Sequence, residues 1–270
     1  MVYKYYPSQR CSIFPDLYVA LSPPSLLNDP TECKPSITLD HIDRHIQALV
    51  RRNFLRVALL HGNTPEMHRR IELASQQLTD EYTNHPEILI GKVHATFQKH
   101  INADIGILSL SKCRDSNLMW AHYCSSHEGF VLGFDEANDF FKHHADEPRD
   151  CGILRDVVYS NDRITVDVDD IKLPPELLFT KKPDWSYEQE VRMIRPLANA
   201  DKVVDKPNHK VFLFRVPKTA LKEVIFGIKC PDSVTEFIRN AIAADAGYVN
   251  VAFLRAEYDN NANLQFVNVA

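Results

Sequence analysis

The chain has 270 residues, of which 44% are hydrophobic and 25% are charged, a composition typical of a globular protein with a large core. Its formal net charge of -5 argues against a surface that attracts nucleic acid or anionic membranes over its whole extent, although a local basic groove stays open. No apolar run is long enough to span a bilayer and the N-terminus lacks the apolar segment of a signal peptide, so we expect a cytoplasmic protein with no membrane partner.

The first two strands and a long helical region are predicted in the N-terminal hundred residues. Apolar and aromatic runs predict strands over residues 2–6 and 17–21. Helical spacing then begins, with Thr38 as the expected N-cap of a first helix and Thr64 as the cap of a second, whose first residue is Pro65. We interpret residues 38–102 as a helical insertion.

The rest of the chain is predicted to be mainly β. Strands are expected over residues 105–111, 129–134, 153–159, 188–195, 210–216, 224–228, 249–258 and 264–269. Helices are expected over residues 115–126, 135–144 and 231–246. No repeat or linker is visible, so the economical interpretation is one α+β domain over residues 1–270 that carries the helical insertion 38–102.

The six cysteines are expected to be free thiols, because no pair has CxxC spacing and a cytoplasmic chain of this size needs no disulfides. Cys113, His122, Cys124 and His127 do lie close together in sequence. A zinc site takes ligand pairs from two separate elements, whereas these four come from one segment. We therefore favour packed helix residues and predict no metal site.

The segment from Asp184 to Ile194 is the most informative one in the chain. Residues two apart on a strand share a face, so Glu188, Glu190 and Arg192 are expected on one side of the strand. Two neighbouring carboxylates are costly unless something positive is bound or formed beside them. The alternative is a solvated strand face with a Glu–Arg pair, and Lys181-Lys182 just before it is expected to be a solvated turn.

Further polar residues accompany the other strands. Ser109 and Ser111 share one face of the strand 105–111. Trp120 and Tyr123 follow about one helical turn apart, which is a plausible floor for a flat ligand ring. The alternative is that Trp120 is a core residue and that the Tyr123 hydroxyl is satisfied locally.

These motifs together resemble a bacterial family called domain of unknown function 2971, a name that supplies no activity. The resemblance runs from the first strand to about Gly227. It is carried by Tyr3-Lys4-Tyr5, Asn28-Asp29-Pro30, Leu108-Ser109-Leu110-Ser111, Met119-Trp120-Ala121-His122-Tyr123, His127-Glu128-Gly129-Phe130 and Trp185-Ser186-Tyr187-Glu188-Gln189-Glu190-Val191-Arg192.

A second resemblance supplies an activity. An aromatic and basic first strand, a Ser-x-Ser strand and a Glu-x-Glu that enters a strand are similar in order to the motifs of the ADP-ribosyltransferase superfamily. The resemblance implies a split, mixed or antiparallel β-sheet core and NAD as a substrate. In that superfamily the first motif supplies Arg or His to the NAD ribose or phosphate, the second supplies Ser or Tyr near the nicotinamide, and the third supplies the catalytic Glu.

Mapped onto this chain, the first position falls on Lys4 or Tyr5, which departs from the Arg or His of the superfamily. Glu190 takes the catalytic position and Glu188 helps to orient the acceptor. The resemblance implies that NAD is bound by Tyr3, Lys4, Tyr5, Asn28, Ser109, Ser111, Trp120, His122, Tyr123 and Arg192.

The chemistry fits this mapping, because cleavage of the nicotinamide–ribose bond passes through an oxocarbenium-like cation that a fixed carboxylate stabilises. Glu188 would accept the proton of the acceptor, and Arg192 would hold a phosphate or neutralise one Glu. We expect an NAD-consuming transferase that modifies nucleic acid or protein, as an intracellular toxin or phage-defence effector with an antitoxin or immunity partner.

Two alternatives stay open. A metal-dependent nuclease would use Asp29, Asp115, Glu188 and Glu190 with Lys112 or Lys182. A non-catalytic module would use the aromatic-lined cleft to sense a nucleotide or to bind a partner. The chain has no GxGxxG or GxxxxGK, which excludes a Rossmann or P-loop nucleotide site.

Overall fold

A computed structural model describes residues 1–61, 64–145, 148, 151–168 and 173–269, without the side chains of residues 43 and 53–61. The chain divides into two compact units. The first unit contains Met1–Glu32, Asn102–Asn161 and Phe179–Ala270, and the second contains Cys33–Ile101 and Asp162–Leu178. The single domain with an insertion at residues 38–102 stays a prediction.

Three long helices follow one another after the third strand, and strands predominate in the rest of the chain. The strands are β1 (Val2–Tyr6), β2 (Tyr18–Leu21), β3 (Ser36–Thr38), β4 (Ile105–Ser111), β5 (Phe130–Phe134), β6 (Arg155–Asp156), β7 (Val158–Tyr159), β8 (Thr165–Asp167), β9 (Thr180–Lys181), β10 (Glu190–Pro196), β11 (Lys202–Asp205), β12 (Lys210–Arg215), β13 (Leu221–Phe226), β14 (Ala252–Tyr258) and β15 (Leu264–Asn268). The helices are α1 (Ile42–His61), α2 (Pro65–Asn84), α3 (Pro86–Asp104), α4 (Asn117–Tyr123) and α5 (Asp232–Ala243).

The first unit is built on an eight-stranded sheet in the order β15-β14-β13-β5-β1-β4-β10-β6. The β13–β14 pair is parallel, while β1, β4, β5 and β10 pair with their neighbours in antiparallel fashion. The predicted α+β class with a mixed sheet is therefore confirmed. A three-stranded sheet in the order β11-β12-β2 belongs to the same unit.

Both faces of the large sheet are covered, which explains why β5 is buried at every position. Val2, Leu110, Leu132 and Val224 belong to the core cluster that also contains two α5 residues. The opposite face carries Tyr3, Tyr5, Val131 and Ile225, which pack with Met119 and Trp120 of α4. The two-residue period of the strands thus sends alternate side chains into two separate apolar layers.

Within the large sheet, the pairing between β1 and β4 is very short. These two strands share one register position, Tyr3 opposite Ser111, whereas β4 and β10 stay paired from Glu190 to Pro196. Beside this pairing, the Lys4 ammonium donates a hydrogen bond of 2.7 Å to the Ser109 carbonyl oxygen. A side chain thus binds a strand carbonyl there, next to the place where the two strands part.

The second unit contains α1, α2 and the larger part of α3, together with the parallel pair β3–β8. Its core includes Ile37, Ile46, Tyr82, Leu89, Val93, Val166 and Val168. The Thr64 hydroxyl caps α2 by accepting from the Met67 amide, as predicted. The prediction that Thr38 caps α1 is wrong, because Thr38 pairs with Asp167 at the end of β3 and α1 begins at Ile42.

Three other boundaries differ from the predictions for identifiable reasons. Residues 153–159 form two short strands, because β6 pairs with β10 whereas β7 pairs with β9. Residues 135–144 contain a single 3₁₀ turn, Asp139–Phe141, capped by Asn138. The strand expected from Glu188 begins two residues later, because Gln189 has a φ of 43°. That left-handed conformation cannot continue a strand.

No helix among the described residues is both long enough and apolar enough to cross a membrane.

Candidate functional site

A cavity of about 200 Å³ lies in the first unit, where β1 and β4 part. Most of the side chains proposed from sequence line it: Tyr3, Lys4, Tyr5, Asn28, Ser109, Ser111, Tyr123, Glu188, Glu190 and Arg192. The other lining residues are Ser22, Leu26, Leu27, Glu32, Leu110, Met119 and Lys181. The motifs of the opening strand, the serine strand and the Glu-x-Glu segment therefore meet at one place.

The two carboxylates of the Glu-x-Glu segment reach the cavity from different backbone structures. Glu188 ends the 3₁₀ turn Pro183–Glu188, whereas Glu190 is the first residue of β10. The left-handed Gln189 between them turns the chain. Each glutamate is only 4% exposed, so the alternative of a solvated strand face is wrong for this pair.

Lys181 lies at the centre of a group of three carboxylates. Its Nζ is 2.7 Å from Glu188 Oε2, 3.1 Å from Glu190 Oε2 and 3.1 Å from Glu32 Oε1. The Lys181 side chain is 5% exposed, and its ammonium also lies 4.8 Å from the centre of the Trp185 ring. The expected solvated turn at Lys181-Lys182 is therefore wrong for the first lysine, while Lys182 is exposed.

Arg192 is the second buried cation of the site and is fully buried. Its Nε donates to Glu190 Oε1 at 2.7 Å, and its Nη2 donates to Glu190 Oε2 at 2.9 Å and to Glu32 Oε2 at 2.5 Å. Arg192 was expected either to hold a phosphate or to neutralise a glutamate, and in the structure it neutralises glutamates. Such a two-point contact fixes the carboxylate plane as well as its charge.

These contacts change the proton affinities of the buried groups. Burial alone would raise the pKa of Glu190, but Arg192, Lys181 and a hydrogen bond from Ser109 lower it to about 2. Burial would lower the pKa of Lys181, whereas Glu190, Glu32 and Glu188 together raise it above its ordinary value. Burial raises the pKa of Glu32 despite its two cationic neighbours. Glu190 is therefore ionised and Lys181 is protonated at neutral pH.

Lys4 is the third cation that lines the cavity. Burial lowers the pKa of its ammonium to about 8, although Glu190 and Glu188 oppose that change. The hydrogen bond to the Ser109 carbonyl fixes the position of its Nζ. Lys4 thus keeps most of its charge at neutral pH and loses it in mildly alkaline solution.

Tyr123 connects α4 to the carboxylates. Its hydroxyl donates a 2.5 Å hydrogen bond to Glu188 Oε1 and accepts one of 2.9 Å from Asn28 Nδ2. Burial and the hydrogen bond to Glu188 raise the pKa of the Tyr123 hydroxyl. This chain of hydrogen bonds orients Glu188 from the side opposite Lys181.

Ser111 and Tyr5, which both line the cavity, form hydrogen bonds to the backbone. Ser111 Oγ lies 2.6 Å from the Glu188 carbonyl oxygen and accepts a 2.9 Å hydrogen bond from the Cys113 amide. The Tyr5 hydroxyl donates to the Cys113 carbonyl at 2.8 Å. Their hydroxyl groups therefore stabilise the cavity wall. These two side chains would contribute to ligand binding through the shape of the wall.

Two residues of the predicted site, Trp120 and His122, are not among those that line the cavity. Trp120 is fully buried, donates from its indole N–H to the Arg114 carbonyl and packs edge-on against Tyr5. The alternative that Trp120 is a core residue is thus the observed one. His122 is exposed and makes ring contacts with Tyr123 and Tyr187.

Of the residues proposed for a nuclease, Glu188 and Glu190 line the cavity. Asp29, Asp115, Lys112 and Lys182 are absent from the residues that line the cavity. Asp29 instead accepts hydrogen bonds from Thr31, and Lys112 pairs with Asp156. Within the described ranges no group of three or more His, Cys, Asp or Glu is arranged to hold a metal ion, and all six cysteines are free thiols.

Sequence reasoning missed Glu32 and Lys181 as residues of the site. Glu32 follows the Asn28-Asp29-Pro30 motif by two residues, which was the available signal for it. Its partner Arg192 lies 160 residues further along the chain, so no local pattern could connect them. Lys181 lies seven and nine residues before Glu188 and Glu190, whereas its third partner, Glu32, comes from a distant part of the chain that no local pattern could connect to it.

Residues 119–193 match a family model described as a protein of unknown function (DUF2971). The matched segment contains Tyr123, Lys181, Glu188, Glu190 and Arg192, and it supports the resemblance over this part of the chain. The chain matches no curated protein and no solved structure.

Proposed function

We propose that the cavity is the active site of an NAD-dependent ADP-ribosyltransferase-like enzyme that modifies a macromolecule. The observation that supports this function best is the convergence of three separate motifs. Lys4 from the first strand, Ser109 from the Ser-x-Ser strand and Glu190 from the Glu-x-Glu segment all line one cavity. This convergence supports the proposed mapping, in which Lys4 stands where the superfamily has Arg or His.

The proposed reaction transfers ADP-ribose from nicotinamide to the acceptor. The bond between ribose C1′ and the nicotinamide nitrogen breaks, and its electron pair leaves with nicotinamide, which departs uncharged. The positive charge of the pyridinium thereby passes to the ribose as an oxocarbenium-like cation. A lone pair of the acceptor forms the new bond to C1′, and the acceptor proton passes to Glu188.

The position of Glu190 suits a cationic transition state. Three carboxylates face Lys181 and Arg192, and the Lys4 ammonium offsets the remaining negative charge while it stays protonated. Glu190 stays ionised because its pKa is about 2. A fixed carboxylate in a closed site stabilises a developing cation more strongly than it does in water.

Release of nicotinamide tests the proposal. The purified protein is incubated with NAD, and free nicotinamide is measured by chromatography in wild type and in Glu190→Gln. We expect wild type to release nicotinamide and the variant to do so about 100- to 1,000-fold more slowly, the loss typical of removing a transition-state electrostatic contact.

Asp245→Asn is the control variant. It removes one carboxylate charge from an ion pair with Lys218 that lies outside the lining of the cavity. It should release nicotinamide at the wild-type rate. If Glu190→Gln loses folding, measured by circular dichroism, in proportion to activity, then Glu190 is a structural residue. If wild type releases no nicotinamide with or without cell lysate, the proposed function is wrong.

A further inference from the structure

A row of ring side chains lies on the surface beside the cavity. Trp185, Tyr187, His122 and Tyr123 follow one another with ring centres 6.2–6.4 Å apart. His122 is exposed and the other three are half-buried, so the row keeps ring surface open to solvent. We call these four residues the aromatic row. They come from α4 and from the 3₁₀ turn Pro183–Glu188.

The aromatic row is joined to the cavity at both of its ends. Tyr123 itself lines the cavity and hydrogen-bonds Glu188. At the other end the Trp185 ring covers the ammonium of Lys181, which also lines the cavity. The aromatic row therefore borders the cavity through Tyr123 and through the contact between Trp185 and Lys181.

The size of the cavity limits how much of a dinucleotide it can enclose. Pockets that enclose a drug-sized ligand measure about 300–1,000 Å³. The cavity measures about 200 Å³, which is below the size of pockets that enclose a whole drug-sized ligand. A dinucleotide bound there would extend beyond the cavity.

We propose that the aromatic row is the binding site for the purine base of the dinucleotide, with the base stacked on Tyr187 and in edge contact with the tilted rings of His122 and Trp185. This inference rests on the proposed function and adds a second subsite to it. Flat heterocycles gain about 1–3 kcal/mol from stacking on aromatic side chains, and partly exposed rings need no rearrangement to supply that contact.

The test compares two probes that each carry half of the dinucleotide. ADP-ribose contains the purine, and nicotinamide mononucleotide does not. Their Kd values are measured by isothermal titration calorimetry with wild type, Tyr187→Leu, Tyr187→Phe and Tyr258→Leu. Tyr258 is a half-exposed tyrosine outside the aromatic row and serves as the matched control.

We expect Tyr187→Leu to weaken ADP-ribose about 5- to 150-fold, which is the stacking energy expressed as an affinity ratio. Nicotinamide mononucleotide should bind this variant as it binds wild type. Tyr187→Phe, which keeps the ring, should restore most of the ADP-ribose affinity, and Tyr258→Leu should leave it unchanged.

An ADP-ribose Kd for Tyr187→Leu within twofold of wild type, or an equal weakening of both probes, would overturn the assignment of the aromatic row. The same holds if wild type binds no ADP-ribose. If ADP-ribose binding depends on Tyr187 while NAD is never cleaved, the subsite stands and the proposed enzymatic function fails. If NAD is cleaved while the Tyr187 ring has no influence, the function stands and the subsite fails.

Discussion

Lys181 is the residue on which the charge balance of the cavity depends. Its ammonium contacts Glu32, Glu188 and Glu190, and the side chain is 5% exposed. Without it, three carboxylates would face only the guanidinium of Arg192 and the more distant ammonium of Lys4. Removing one partner of a buried ion pair leaves an uncompensated charge, which costs far more than the loss of a surface pair.

We therefore expect Lys181→Met to lower the free energy of unfolding by about 3–5 kcal/mol, measured by urea denaturation. Lys182→Met provides the matched control, because Lys182 is the exposed neighbour. Its effect should stay within about 0.5 kcal/mol, as for most surface substitutions. Similar losses in the two variants would contradict the central role of the Lys181 ammonium.

The charge of Lys4 predicts a pH dependence of ligand binding. Burial lowers its pKa to about 8 from an ordinary value of 10.5, so the folded protein loses this charge as the pH rises through about 8. An anionic ligand such as NAD should bind progressively more weakly between pH 7 and pH 9.5. Lys4→Arg should remove this dependence, because a guanidinium stays protonated throughout that range.

Titration of the NAD Kd against pH checks this prediction. Identical pH profiles for wild type and Lys4→Arg would mean that Lys4 does not contribute its charge to the ligand. The stability of the free protein should change in the opposite sense. Because the pKa of Lys4 is lower when folded than when unfolded, its burial penalty is present below pH 8 and fades as the pH rises towards 10.5.

At the scale of single residues, sequence reasoning identified most of the cavity wall but not its charge pairing. The predicted common strand face of Glu188, Glu190 and Arg192 is confirmed for Glu190 and Arg192, which are hydrogen-bonded to each other. It is wrong for Glu188, which ends the 3₁₀ turn before the strand. The contacts of Glu32 with Lys181 and Arg192 arise from segments that meet only in the folded chain. Periodicity carries no information about such distant pairs.

At the scale of elements, the site depends on a tight approach between β1 and the turn that precedes β5. Ser125, Ser126 and His127 all have positive φ, and Gly129 follows them. A Cβ atom at Gly129 would lie 2.0 Å from the Tyr6 carbonyl oxygen. No side chain fits at that distance, so the backbone of β1 or of the turn would have to move.

Gly129→Ala should therefore destabilise the protein strongly, with a lower melting temperature by thermal denaturation. Gly91, an exposed glycine within α3, is the matched control because a Cβ there meets nothing within 4 Å. Gly91→Ala should be neutral or stabilise α3 by up to about 1 kcal/mol, since alanine favours helix. An unchanged melting temperature for Gly129→Ala would refute the close approach at Tyr6.

The elements that sequence predicted best are long and apolar. The strand over residues 105–111 and the first strand were predicted with the bounds that β4 and β1 have. The strands β3, β8 and β9 were not predicted, since two or three residues are too few to show a period. The start of the Glu-x-Glu strand was misplaced because a left-handed Gln189 gives no signal in the sequence.

At the scale of the whole molecule, the first unit brings together the separate chain segments that form the site. It holds β1, β4 and β10 next to one another in one sheet, although about a hundred residues separate β1 from β4. The α+β class followed from a helical region that precedes a mainly β remainder of the chain. The strand order did not, because it depends on long-range pairing that local propensity does not encode.

We propose that this sheet places Glu190 against a cation formed from NAD. Two preparations of NAD, one labelled in the adenine and one in the nicotinamide, are incubated with the protein and cell lysate to test this role. We expect macromolecules to acquire the adenine label alone, and Glu190→Gln to abolish this transfer while it still binds NAD. Transfer of neither label, with NAD recovered intact after long incubation, would contradict this proposal.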